Sequence, residues 1–318
     1  MSYARLAAAV LAFASSAALA QAWPAKSVRW IVPYPPGGST DIATRPVADR
    51  VGQALGGHAA IVENRAGAGG NIGMEAAAKA PPDGYTLLVA PDAIASNPHL
   101  YKVGFDPFKD FVPVVQLARQ PVVLAAHPSL GVSSVAELVA LARQKPGIGY
   151  ATSGAGSQQH MAGEWFARIA GIQLTHVPYK GGGQAIADLV GGQVPLGSLG
   201  SSPLIPHYKA GKLKLLAQTT ATRAPSLVDV PTYQEAGVPG LVIEQWLAVF
   251  APAGTPAPVV QRFNAEIGKA LGELAIRERY AQAALEPVGG NPEHLARLLR
   301  DDFEKYGRLI TELGIRVD

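Results

Sequence analysis

An apolar run, Val28, Trp30, Ile31 and Val32, ends in the turn YPPGGSTDIAT at residues 34–44, and that junction constrains the chain more than any other segment. Gly37 and Gly38 carry no Cβ and let the backbone approach a ligand, while Ser39 or Thr40 is placed to cap a helix whose free N–H groups and dipole favour negative charge. A strand feeding a glycine-rich turn and then a helix start is where an α/β protein holds an anion. The same grammar recurs in SGAGS at 153–157 and YKGGG at 179–183, each after a short β-like run and before a helical one. Three such turns in one chain point to one composite pocket.

Around that unit, segments of strand character alternate with segments of helical period, the pattern of parallel sheets with crossover helices. Helices are expected over 41–55 and over 71–80, the latter stopped by Pro81, Pro82, Asp83 and Gly84, with strands over 59–62 and 85–90. Pro46 removes an N–H inside the first of these helices. Ser134 and Glu137 match a capping box ahead of a helix at 138–143. Short strands follow at 150–152, 174–177, 194–199 and 213–219. Two helices close the chain, at 256–274 after Thr255 as cap and at 292–313 after Asn291, each with proline at its first position. In the second, Leu295, Leu298, Leu299, Phe303, Tyr306, Ile310 and Leu313 form one apolar stripe read as core. The runs 122–126 and 242–251 read as strands joining two lobes, so that the facing loops would form a hinged clamp.

The N-terminus reads as a secretory signal peptide. Arg5 precedes an apolar stretch from Leu6 to Ala14, and Ala18, Leu19, Ala20 make an A-x-A cleavage site, with an alternative cut after Ala22. That stretch is too short for a membrane anchor, and no later segment reads as long enough to span a bilayer. The sequence of 318 residues has no cysteine, so the exported chain left after a cut behind Ala20 would rely on its core rather than on disulfides. A net charge of +3 gives no case for nucleic acid.

Longer stretches carry a family likeness. They are WIVPYPPGGSTDIATR at 30–45, VENRAGAGGNIG at 62–73, PPDGYTLLV at 81–89, ATSGAGSQQHMAGE at 151–164 and HVPYKGGGQAIADLVGGQV at 176–194, followed by AGKLKLLAQTTATR at 210–223, DVPTYQEAGVPG at 229–240 and APAGTPAPVVQRFN at 251–264. In these segments, and in their order and spacing, the chain resembles the Bug family of periplasmic solute-binding receptors associated with tripartite tricarboxylate transporters. The resemblance implies a type II periplasmic binding protein fold, a Venus flytrap of two α/β lobes with a discontinuous chain and a hinge of two crossover strands. On that reading residues 1–20 are the signal peptide, 21–122 and 246–318 the first lobe, and 123–245 the second.

The resemblance further implies a receptor that captures a dicarboxylate, hydroxy-acid or aromatic acid in the periplasm, without cofactor or metal and without stable membrane insertion. It would act as a monomer and pass its cargo to membrane permease subunits. Carried over residue by residue, the first-lobe contacts are Tyr34, Gly38, Ser39, Thr40 and Asp41, with Ala93 from the segment APDAIASN. The second-lobe contacts are Ser153, Gly156, Ser157 and Gln158, with Tyr179 and Gly181 from the third turn. Each has a plainer role as well: Ser39, Thr40, Ser153 and Ser157 as helix caps, Asp41 as a charge complementing a helix dipole, Tyr179 as a packing aromatic. His160 and His176 lack a partner at metal-ligand spacing and read as structural. The family usually places an aspartate after Val194, where this chain has Pro195, Leu196, Gly197, Ser198, which weakens an amino-acid ligand.

Two other classes compete. A receptor that senses its ligand for a two-component signalling system would use the same clamp. An exported hydrolase would need G-x-S-x-G, which SGAGS and Gly197-Ser198-Leu199-Gly200 both miss. Dinucleotide binding would need G-x-G-x-x-G, and the candidates from Gly67 and Gly154 end in Ile72 and Gln159.

Overall fold

Apolar segments buried on both faces set the architecture. In the computed structural model, which describes residues 23–317, the strands are β1 Val28–Val32, β2 Ala60–Asn64, β3 Thr86–Pro91, β4 Phe111–Ala126, β5 Ile148–Thr152, β6 Leu174–Pro178, β7 Leu196–Gly200, β8 Lys214–Gln218, β9 Glu244–Pro252 and β10 Glu286–Gly289. The helices are α1 Ser39–Ala54, α2 Asn71–Ala78, α3 Ala93–Ser96, α4 Val135–Gln144, α5 Gln158–Ala170, α6 Gly182–Val190, α7 Ile205–Lys209, α8 Ala257–Gly272, α9 Leu274–Gln282 and α10 Pro292–Leu313. The signal peptide and its cleavage sites lie outside the described residues. Among the described residues no helix is long and apolar enough to cross a membrane.

Two sheets share one long strand. Strands β2-β1-β3-β9-β4 run in that order with β10 on the far side of β4, and β8, β7, β5 and β6 attach to the other half of β4. Pairing is parallel between β1 and its neighbours β2 and β3, and between β5 and its neighbours β6 and β7. Strand β9 runs antiparallel to β3, and β4 runs antiparallel to β9, pairing from Phe111↔Pro252 to Pro121↔Glu244. From Val122 onward β4 pairs instead with β7 and β8. The chain thus passes from one α/β lobe to the other inside β4 and returns at the start of β9, as a clamp requires.

The core follows the helices onto these sheets. One apolar cluster packs α1 and α8 against β1, β3, β4 and β9 through Trp30, Val47, Val51, Leu87, Val115, Val249 and Phe263. A second is continuous across both lobes, joining Ile31, Leu88 and Phe250 to Leu138, Tyr150 and Phe166, with Leu295, Leu299 and Tyr306 of α10 among its members. Three of the seven positions of the expected stripe on α10, Leu298, Phe303 and Leu313, are only partly buried against that cluster.

Some local expectations are corrected. Helix α1 starts at Ser39 with Gly38 as N-cap, so neither Ser39 nor Thr40 caps it, and Pro46 lies inside it. Strand β4 is 16 residues long, far beyond the expected 122–126, with register shifts at Pro113/Val115 and Gln116/Ala118 against β9 and at Leu124/Ala125 against β8. The expected helix 256–274 breaks at Glu273, which is extended, into α8 and α9. Thr255 does not cap α8; its hydroxyl donates to the Pro252 carbonyl at 2.7 Å. The caps at Ser134 and Asn291 form, accepting from the amides of Glu137 at 3.2 Å and His294 at 2.9 Å.

Phe263 is fully buried and meets Trp23 edge-on at 4.9 Å between ring centroids. Phe263→Ala is expected to cost about 3–5 kcal/mol of stability, read as a lowered midpoint in chemical denaturation.

Candidate functional site

The carboxyl ends of the parallel strands of the two lobes point toward each other, since β4 runs with β1 and β3 but antiparallel to β7. There β1 runs into 33–38, β3 into Asp92, β5 into 153–157, β6 into 179–181 and β7 into Ser201, the edge where open α/β sheets take ligands. A cleft between the lobes lies at this edge, lined by Tyr34, Gly38, Ser39, Thr40, Pro91, Asp92, Ala93, Ser153, Ser157, Gln159, Gly182, Ile186, Leu199, Gly200, Pro203 and Gln245. The space between its walls measures about 470 Å³, of which the centre of a water molecule can occupy only about 30 Å³. The clamp is shut.

Closure is held by contacts across the cleft. Ser96 Oγ donates to the Gly156 carbonyl at 2.9 Å and Tyr101 Oη to the Ala155 carbonyl at 2.9 Å. A Cβ on Gly181 would lie 2.6 Å from Pro35 Cδ, and one on Gly183 would lie 2.8 Å from the Pro36 carbonyl oxygen. Gly156, at φ +78°, leaves room for Leu100, whose Cδ1 would lie 2.3 Å from any Cβ there. At these glycines the facing segments pack too closely to admit a side chain.

Helices α1 and α6 begin at the cleft with glycine N-caps, Gly38 and Gly181, and neither has a side-chain cap among the described residues. The two N-termini face each other: a Cβ on Gly38 would sit 3.8 Å from Gly183 N and 3.9 Å from Gly182 N. Helix α5 is capped from within, Ser157 Oγ accepting from the His160 amide at 3.2 Å and donating to the Gly154 carbonyl at 2.7 Å. No lysine, arginine or histidine is among the residues lining the cleft, so the groups there that can attract an anion are helix ends, amides and hydroxyls.

The structure brings together Tyr34, Gly38, Ser39, Thr40, Ala93, Ser153 and Ser157 on the cleft wall, and keeps five other expected residues off it. Asp41 points back into its own loop. It takes two hydrogen bonds from Arg45 at 2.9 and 2.7 Å, one from Asn64 at 3.0 Å and one from the Gly37 amide at 3.1 Å. Burial alone would raise this carboxyl, yet the hydrogen bonds from Arg45, Asn64 and Gly37 and the Arg45 charge outweigh it and hold it below the ordinary carboxylate range. Gly156 supplies the carbonyl that Ser96 binds. Gln158 is buried against the Tyr306 hydroxyl. Tyr179 donates to Asp188 Oδ2 at 2.7 Å, and burial together with that carboxylate pushes its hydroxyl up to about 12. Gly181 packs on Pro35 behind the wall that Gly182 forms. Tyr34 lines the cleft, and its hydroxyl donates to the Gly69 carbonyl at 3.0 Å; burial, then Asp92 and Tyr101, raise that hydroxyl far above its usual value.

Residues that the sequence reading did not single out complete the wall. Asp92, Gln159, Gly200 and Gln245 line it with Ile186, Leu199, Pro91 and Pro203. Asp92 and Gly200 sit at or just past strand ends, the positional signal that marks them. Gly200 is required where it stands, since a Cβ there would lie 2.5 Å from Gln120 Nε2 and 2.7 Å from both Gln245 Oε1 and Ser39 Oγ.

This architecture has close counterparts. The family model described as TctC, tripartite tricarboxylate transporter family receptor, matches residues 43–315. The chain belongs to that family. The receptor is 35% identical to protein BugT of Bordetella pertussis over 302 residues, 94% of this chain and 92% of BugT. An R. palustris protein solved with adipate superposes with a TM-score of 0.89 at 36% identity, over 92% of this chain and 99% of that one. MatC from Rhodopseudomonas palustris, solved with bound malate, does so with a TM-score of 0.84 at 30% identity, over 91% of this chain and 100% of that one. Its fold is that of the periplasmic binding proteins.

Behind the second-lobe loop of the receptor, His160 and His176 stack with ring centroids 3.6 Å apart and planes 10° from parallel. His160 Nδ1 accepts from the Gly156 amide at 3.1 Å, and His176 Nε2 pairs with Thr152 Oγ1 at 2.7 Å, so the stack props residues 152–156. Burial, then the neighbouring His176, pushes His160 down to about 3, and burial pushes His176 down to about 4, from 6.5. The unfolded chain therefore binds more protons than the folded one between those values. The stability this confers is complete above about pH 6.5 and is lost as pH falls toward 4. The melting temperature is expected to drop over that window. A His160→Gln, His176→Gln double variant should show a shallower drop by calorimetry, and an equal slope would place the acid sensitivity elsewhere.

Proposed function

We propose that the receptor captures a small carboxylate, a dicarboxylate, hydroxy-acid or aromatic acid, between its lobes and delivers it to the membrane permease subunits of a tripartite tricarboxylate-type transporter. The observation that carries this reading is the meeting of two uncapped helix N-termini across a cleft without basic side chains. Each terminus is worth roughly half a positive charge, so an anion in the cleft that both border stabilises the shut clamp. The adipate and malate found in relatives of the same fold support a carboxylate.

In this proposal Gly38, Ser39, Thr40 and Ala93 of the first lobe, residues 21–122 and 246–318, hold the acid by amides and hydroxyls, with Tyr34 packing against it. Ser153, Ser157, Gln159 and the Gly182 amide bind from the second lobe, residues 123–245. Asp41, Gly156, Gln158, Tyr179 and Gly181 shape the loops that present those groups. The receptor works as a monomer in the periplasm after cleavage behind Ala20 or Ala22, and as a carrier rather than an enzyme. Capture shifts the open and closed populations only by the acid's preference for the closed form.

A thermal-shift panel of organic acids tests the reading, since a ligand at a hundredfold its Kd adds about 2.7 kcal/mol to stability. A raised melting temperature with at least one carboxylate is expected, and a flat response across dicarboxylates, hydroxy-acids and aromatic acids would overturn it. Gly181→Val, which wedges Pro35 away, should weaken binding of the best acid at least tenfold by titration calorimetry while the free protein melts near the wild-type temperature. Unchanged affinity in that variant would show that the shut geometry is not the bound one.

A further inference from the structure

Asp92 follows directly on β3, is 1% exposed and lines the cleft, yet its Oδ1 has no hydrogen-bond partner among the described residues. Its side chain does not cap α3. A buried carboxylate oxygen without a donor is costly, by more than a neutral group in the same place.

Its surroundings give it no counter-charge. The groups that face it are Tyr34 from the turn after β1, Gln158 from α5, Gln245 on β9, and Asp302 and Tyr306 on α10. Asp302 already draws the available donors to its own Oδ2, from Trp246 Nε1 at 2.6 Å and Tyr306 Oη at 2.7 Å, with Lys305 Nζ 3.9 Å from Oδ1. Hydrogen bonds from the Gln245 side chain and from the amides of Asp92 and Gln158 favour the ionised form of the Asp92 carboxyl. Burial first and the Asp302 charge second raise Asp92 well above the ordinary range.

We propose that Asp92 is a ligand-binding residue that donates its carboxyl hydrogen from Oδ1 to a carboxylate oxygen of the bound acid, so that the two acid groups share one proton. No covalent bond is made or broken: the proton stays between the two oxygens, and the pair carries one negative charge, which faces the helix N-termini at Gly38 and Gly181. This rests on the carboxylate reading and narrows it. A ligand must bring an acceptor oxygen to the β3 end of the cleft, and binding retains a proton that an ionised pair would lose. An ammonium at that place would instead need Asp92 ionised.

The test is titration calorimetry of malate, adipate and an aromatic acid against wild type, Asp92→Asn and Asp92→Ala from about pH 5.5 to 8.5. The carboxamide also donates, so Asp92→Asn should keep affinity within about threefold and lose any pH dependence due to this group. Asp92→Ala should lose at least tenfold. Wild-type affinity should fall with rising pH wherever the free protein's Asp92 ionises, by up to about tenfold per pH unit for one proton. Infrared spectra should show, near neutrality, the carbonyl stretch of a neutral carboxylic acid in wild type that Asp92→Asn lacks, a reading that stands even if the alanine variant fails to fold. Alanine binding as tightly as wild type, asparagine losing as much as alanine, or no neutral-acid band would overturn the proposal while leaving the carboxylate reading intact. Failure of every acid to bind wild type would remove both.

Discussion

Two helix N-termini abut across the cleft with only glycine between them, and the rest of the molecule is arranged to make that tolerable. At a separation near 4 Å and an effective dielectric of about 20, two half charges repel by about 1 kcal/mol. Side-chain caps would relieve this by accepting from the free amides, and α5 shows the chain can build such a cap, at Ser157. Helices α1 and α6 have glycine instead. Their amides stay available, and a passing anion finds a field that no arginine has to supply.

Keeping that field in place takes buried polar scaffolding. Asp41 accepts from Arg45, Asn64 and the Gly37 amide, and Asn64 Nδ2 also donates to the Tyr34 carbonyl at 2.9 Å, so the glycine turn is tied to β2 at both ends. The histidine stack does the equivalent for residues 152–156. In both lobes the side chains best suited to bind a ligand by charge are spent on shaping backbone. The binding surface is left to groups that have no charge of their own.

That division explains what was legible in the sequence. Glycine-rich turns followed by hydroxyl residues marked the loops, and Gly38, Ser39, Thr40, Ser153 and Ser157 all reach the cleft wall because a strand end and a helix start leave them nowhere else to go. Direction was harder to read for longer side chains. Asp41 could face the ligand or Arg45, and the spacing of four between them, which puts both on one helix face, was the available signal. Gln158 and Gln159 are neighbours in sequence, yet Gln159 faces the cleft and Gln158 the α10 tyrosine, as successive residues at a helix start must diverge. Strand β4 was hidden by Pro113 and Pro121, which look like strand breakers but sit at or near a register shift and at the end of the β9 pairing, where a missing N–H does least harm.

The hinge and the cleft meet at a single pair of side chains. Gln245 on β9 lines the cavity and accepts from Gln120 Nε2 on β4 at 2.7 Å, while Gln120 Oε1 accepts from the Ser202 amide at 2.9 Å. Ser202 follows β7, whose last residue, Gly200, has space for no side chain between Gln120, Gln245 and Ser39. Both crossing strands, the first strand of the second lobe's sheet beside them and the start of α1 therefore converge on a few ångströms of buried amide. Hydrogen bonds in such a dry place are strong and intolerant of partial breakage, which favours two discrete arrangements over a continuum.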